Sequence, residues 1–178
     1  MQKIIKKRGG SIYLNMRVMK INDIERFSSY LDYRTNLIFL IGNETGLRIS
    51  DIINLKRADI KRTLRIKEKK TGKKFKHKFS DELYDLIINY MKYNKFNEYL
   101  FGTNSKKHHI TRQAVWKAFK KAAKEAGEQS NIGTHSMRKN KAWKVFTETN
   151  SIKEARKALN HDNSNCIIYY NWRDDIEN

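Results

Sequence analysis

The chain has 178 residues, 39% of them hydrophobic, which suits one compact domain with a modest core and excludes two large ones. Its 38 Lys and Arg against 19 Asp and Glu leave a formal charge of +19, a field whose natural partner is a polyanion such as DNA. The longest purely apolar run, Leu37 to Ile41, is far below the roughly 20 residues of a bilayer-spanning helix, no secretory leader follows the basic start MQKIIKKRGG, and the single cysteine, Cys166, can form no internal disulfide and fits no cysteine-based zinc spacing. A cytoplasmic protein with no membrane partner is the expectation.

Residues 1–20 read as a basic N-terminal arm and 21–178 as one folded domain, since no repeat and no Pro- or Ser/Gly-rich linker divides the chain. Asn22 to Glu25 has the form of a capping box and predicts a helix running to about Tyr33. A second helix, from about Thr35, carries Leu37, Ile38, Leu40 and Ile41 inward and stops near Gly46, where positive φ is free of cost. A short third helix runs from Leu47 through Ile49, Ile52, Ile53 and Leu55. Alternation in Leu64-Arg65-Ile66-Lys67 and Phe75-Lys76-His77-Lys78-Phe79 predicts two antiparallel strands joined by a Lys-rich turn at Thr71-Gly72, with a third strand near Ala58 to Ile60.

Ser80, followed by Asp81 and Glu82, opens a helix with Leu83, Leu86, Ile87, Tyr90 and Met91 on one face. Another helix spans about Thr111 to Ala126, with Val115, Ala118, Phe119 and Ala122 inward, lysines outward and Gly127 beyond its end. Helices from Ser136 and from Ser151 follow, the latter opened by Ser151 and Glu154 in capping-box spacing. The fold class is therefore α+β, mostly helical, with a small antiparallel sheet.

Four features place polar, reactive side chains at turns and helix starts, where core packing does not ask for them. Arg48 follows a Gly turn in Thr45-Gly46-Leu47-Arg48-Ile49-Ser50-Asp51, at a helix N-terminus suited to anions. Lys69, Lys70 and Lys73 crowd the hairpin tip. His135 and Arg138, three residues apart in Gly133-Thr134-His135-Ser136-Met137-Arg138, can share one face of a helix start and grip a phosphate. Last come His161, in Leu159-Asn160-His161, and Tyr170, nine residues further on. Taken singly, each has an ordinary structural explanation: a surface Arg paired with Asp51, a wet basic turn, a buried polar pair, a packed tyrosine.

Their order resembles the tyrosine recombinase (phage integrase) family, whose catalytic set is Arg in T-G-L-R-x-S-[DE], Lys on a β-hairpin, H-x-L-R, L-G-H and a Tyr nine residues after that last His. The resemblance covers about residues 20 to 172. Met137 stands for the usual Leu, a volume-conserving exchange, and Asn160 for the usual Gly, which a left-handed backbone tolerates. The expectation is therefore a catalytic half alone, without the N-terminal helical core-binding domain that most relatives carry.

The resemblance implies a catalytic set of Arg48, Lys70, His135, Arg138, His161 and Tyr170. Tyr170 would attack a DNA phosphodiester to give a 3′-phosphotyrosyl bond, Arg48 and Arg138 would stabilise the transition state, and His135 would accept the tyrosine proton. His161 would donate to a phosphate oxygen, and Lys70 would protonate the leaving oxygen, with Lys69 and Lys73 as alternatives. Tyr169 competes with Tyr170 for the nucleophile, and the family's spacing selects Tyr170. Asp51 is expected to orient Arg48. No metal, ATP or other cofactor is implied. The implied partners are double-stranded DNA, a helper protein supplying the clamp and a homo-oligomer, a tetramer on DNA. A DNA-binding regulator or assembly factor retaining the fold is the alternative function, and a type IB topoisomerase matches less well at His161.

Overall fold

A chain enters a helix most readily where a side-chain oxygen can accept one of the first free amides. The computed structural model describes residues 21–93, 98–103, 108–127 and 132–160, and among these it forms seven α-helices and one two-stranded sheet. Helix α1 (Ile21–Ser29) ends earlier than the sequence predicts, and α2 (Tyr33–Thr45) begins earlier. Asp32 sets the boundary, because its carboxylate accepts from the Thr35 amide at 3.0 Å and caps α2. Asn22 lies inside α1.

Helix α3 is only Ile49–Ile53, shorter than the predicted run from Leu47 to Leu55. The expected third strand at Ala58 to Ile60 is instead a 3₁₀ turn, Arg57–Asp59, closed by the Asp59 carboxylate on the Lys56 amide at 2.8 Å. Strands β1 (Thr63–Lys67) and β2 (Lys74–Lys78) pair antiparallel, with Thr63 opposite Lys78 and Lys67 opposite Lys74. Helices α4 (Asp81–Tyr93), α5 (Arg112–Glu125), α6 (Ser136–Thr149) and α7 (Ile152–Ala158) complete the described fold. Thr111 caps α5 through the Ala114 amide, and Ser151 caps α7 through the Glu154 amide.

The core gathers α1, α2 and α5 around three phenylalanines with no exposed surface, Phe27, Phe39 and Phe119. Their rings meet edge to face, with centroids 4.9 to 5.7 Å apart, the arrangement their quadrupoles favour. Leu83, Ile87 and Tyr90 bury the inner face of α4, while Leu86, predicted on that face, is 37% exposed. Residues 86 and 87 lie about 100° apart on a helix, so the stripe through Leu83, Ile87 and Tyr90 turns Leu86 toward its edge.

Helix α6 approaches α2 where Gly42 faces Met137, so closely that a Cβ at position 42 would stand 2.9 Å from the Met137 Cβ. This contact sets the α6 N-terminus beside the turn that ends α2. No helix among the described residues is long and apolar enough to cross a membrane.

Candidate functional site

Arg48 is held by the turn that precedes it. Gly46 takes φ +69° and its amide closes α2 on the Gly42 carbonyl at 2.9 Å. A side chain there would also strike Leu159, whose Cδ2 lies 2.7 Å from the Cβ position. Thr45, fully buried, accepts from the Leu47 amide at 3.1 Å and donates to the Ile41 carbonyl at 2.6 Å. The chain thus leaves α2 in one fixed direction, and Arg48 occupies the N-cap position of α3 in extended conformation. Its guanidinium pairs with the carboxylate of Glu68, a side chain only 1% exposed at the end of β1.

Asp51 does something other than orient Arg48. Its Oδ1 accepts the Lys69 amide at 2.9 Å, tying the hairpin to α3, and its Oδ2 is buried with no hydrogen-bond partner among the described residues. The hairpin tip is shaped by Gly72 at φ +68°, whose amide reaches the Glu68 carbonyl at 2.8 Å. The three candidate lysines part company here. Lys69 Nζ donates to Asn54 Oδ1 at 2.5 Å and Lys73 Nζ to the Asn160 carbonyl at 3.4 Å, whereas Lys70 is exposed and its charge acts on His135.

His135 and Arg138 sit at the start of α6, whose first turn is unusual in being polar and buried. Ser136, with no exposed surface, accepts the Gly133 amide through Oγ at 3.2 Å. Arg138, 5% exposed, donates to the Gly46 carbonyl and, at 3.2 Å, to the Leu159 carbonyl. The guanidinium is therefore oriented by main chain from two distant segments. Burial, reinforced by the charges of Arg138, Arg48, Lys70 and Lys139, pushes His135 down from an ordinary 6.5 to about 4, so its imidazole is neutral at physiological pH.

Arg138 thus reaches the carbonyl of Gly46, two residues before Arg48, and the charges of Arg48, Lys70 and Arg138 are all felt at the one neutral imidazole. Asn160, the last described residue of its segment, has φ +55°, as its replacement of glycine requires, and donates to Glu68 Oε1 at 2.8 Å. His161, Tyr169, Tyr170 and Cys166 lie outside the described residues. Two participants were not predicted. Lys139, 7% exposed, adds its charge at His135, and Glu68 joins Arg48 to the hairpin. The sequence did carry a signal for Glu68: it is the one carboxylate in the run Lys67 to Lys74, whose other residues are five lysines, Thr71 and Gly72.

Comparison with known proteins bears on this arrangement. The model of the phage integrase family matches residues 15–176. The chain is 32% identical over 153 residues to "Probable integrase/recombinase YoeC" of Bacillus subtilis (strain 168), covering 85% of this chain and 84% of that protein. It is 30% identical over 156 residues to tyrosine recombinase XerA of Pyrococcus horikoshii, covering 84% of this chain and 54% of the relative. Among solved structures, XerH site-specific recombinase bound to a palindromic difH substrate, a post-cleavage complex, superposes with a TM-score of 0.73 at 20% identity, over 85% of this chain and 48% of that one. The chain spans about half the length of the XerA and XerH proteins and most of YoeC. With the family model matched along nearly its whole length and a described fold that superposes on a recombinase, the chain belongs to the phage integrase family of DNA recombinases.

Proposed function

We propose that this protein cuts and rejoins duplex DNA by transesterification through Tyr170, forming a 3′-phosphotyrosyl bond and releasing a 5′-hydroxyl. The bond broken and the bond formed are both phosphodiesters, so the energy for rejoining is conserved and no ATP is consumed. Charge that builds on the nonbridging oxygens in the transition state is met by Arg48 and Arg138, whose planar forks suit a phosphate and take the place of a metal ion. His135, neutral in the free protein, can accept the Tyr170 proton, and a bound phosphate raises its basicity by offsetting the cations around it. His161 donates to a phosphate oxygen. Lys70 protonates the departing 5′-oxygen.

The observation that carries this reading is the Arg138 guanidinium held on the carbonyl of Gly46, two residues before Arg48, together with a half-buried His135 that feels the charges of Arg48, Lys70 and Arg138, a concentration of cations on one imidazole that a protein which only binds DNA does not need. The choice of Lys70 draws on the hydrogen bonds that occupy Lys69 and Lys73. Duplex DNA as the substrate draws on the charge of +19 and on XerH, whose complex holds difH. Exchange between two duplexes calls for four protomers.

Covalent trapping tests the proposal. The protein is incubated with nicked suicide duplexes tiled across the DNA flanking its own coding sequence, and adducts are scored on a denaturing gel. We expect an adduct that persists in Tyr169→Phe and vanishes in Tyr170→Phe. Binding without an adduct on any duplex would favour a DNA-binding regulator of the same fold.

A further inference from the structure

A carboxylate inside a cation-rich phosphate site is an unexpected component, because it opposes the anion the site is built to hold. Glu68 is such a group, only 1% exposed although Lys69, Lys70, Thr71 and Gly72 beside it are all exposed. Withdrawing a carboxylate from water within a solvated turn is costly unless its oxygens are well bonded.

They are. Oε1 accepts from Asn160 Nδ2 at 2.8 Å, and Oε2 accepts from Thr71 Oγ1 at 3.0 Å and from Arg48. These donors come from three stretches of chain, 20 residues before Glu68, 3 after it and 92 after it. Each is a candidate reacting residue or its neighbour: Arg48 itself, Thr71 next to Lys70, and Asn160 next to His161. Burial alone would raise the Glu68 carboxyl, but the bonds from Asn160, Thr71 and Arg48, with the Arg48 charge, outweigh it and keep the group ionised below its usual range.

We infer that Glu68 is the positioning residue of the site, its carboxylate setting the Arg48 guanidinium, the Lys70 turn and the Asn160 segment in register around one phosphate. The inference rests on the proposed strand-cutting function and assigns Glu68 no contact with the phosphate. A latch that withholds Arg48 from DNA is the competing role. Positioning is favoured because Glu68 bonds to Arg48 through Nη1 only, and the guanidinium makes no other hydrogen bond among the described residues, so its Nε–Nη2 edge stays available to an anion. A latch would also have no use for the bonds to Thr71 and Asn160.

The test uses Glu68→Gln, Glu68→Asp and Asn160→Gly, the last keeping the left-handed backbone while deleting one bond to Glu68. Two readouts are taken on each protein after its folded fraction is fixed by circular dichroism and a thermal melt. One is inorganic phosphate affinity, from the shift of arginine side-chain Nε–H resonances. The other is single-turnover adduct formation at saturating duplex. Glu68→Gln should cut the rate at saturating duplex by about 10²-fold, as expected of misplaced reacting groups, and weaken phosphate binding. Glu68→Asp should recover part of the rate, and Asn160→Gly should lose less and add little to Glu68→Gln.

A faster reaction in Glu68→Gln would establish the latch and overturn the inference, and so would rate losses no larger than the loss of folded protein. If the wild type forms no adduct at all, the strand-cutting function fails, and phosphate affinity decides the role of Glu68. Unchanged affinity in both Glu68→Gln and Asn160→Gly would then refute it.

Discussion

His135 stands among Arg48, Lys70, Arg138 and Lys139, and its titration reports on all four. Because its value in the folded protein is about 4 against 6.5 when unfolded, the unfolded chain binds the extra proton between these limits. Stability from this group is complete above about pH 6.5 and is lost as the pH falls toward 4. Thermal melts between pH 7 and 4 should therefore show a decline that His135→Gln reduces, and a declining curve identical in the variant would contradict the placement of His135. Saturating phosphate should move the His135 transition upward in an NMR titration. At this scale the sequence was informative where chemistry restricts residue type: arginine for a bidentate phosphate clamp, histidine for proton transfer near neutrality, glycine or asparagine for a left-handed bend. Glu68 and Asp51 were less legible, because a carboxylate can serve any nearby donor and only the fold decides which. Asp51 went to the Lys69 amide and Glu68 to Arg48, the reverse of what adjacency along the chain suggests.

Arg48, at the N-cap of α3 just past α2, and Arg138 on α6 are positioned by the packing of α2 against α6, where the bare backbone of Gly42 lies against Met137. A methyl group at Gly42 would overlap Sδ, Cε and Cβ of Met137, and Cβ cannot swing away as a side-chain end can. Gly42→Ala should thus destabilise the protein by about 1–3 kcal/mol, the usual cost of overpacking a tight interface, measured by urea unfolding. Alanine is the better helix former by up to about 1 kcal/mol, so a stabilised variant would show that the contact is loose. The periodicity of apolar residues placed the seven helices well, yet several ends moved. Asp32 outcompeted Thr35 as the start of α2 because its carboxylate can accept the Thr35 amide. The stretch Ala58 to Ile60 closed on the Asp59 carboxylate instead of extending into a strand. Local hydrogen bonds of this kind outweigh a two- or three-residue alternation, which is why short strands are harder to read than long helices.

Across the whole molecule, 38 cationic side chains exceed what the site can use, and most of those among the described residues are exposed. Lys117, Lys121 and Lys124 lie exposed on α5, where they can meet phosphates without reading sequence. Affinity for a random duplex should fall by about 10³-fold or more between 50 and 200 mM salt. Replacing all three lysines by glutamine should flatten the logarithmic slope by up to about 3, one unit for each phosphate no longer neutralised. Fluorescence anisotropy across a salt series measures both, and an unchanged slope in the triple variant would place the DNA on another face. Asn160 has a consequence for the assembly of this whole. A glycine at that bend would be at ease in the left-handed region but would also range widely in the unfolded chain, and ordering it would forfeit that freedom. Asparagine gives up less conformational entropy on folding, and the left-handed strain it accepts is offset by its amide bond to Glu68. The bend at Asn160 is thus set within the free protein, and holding it draws nothing from the energy of binding.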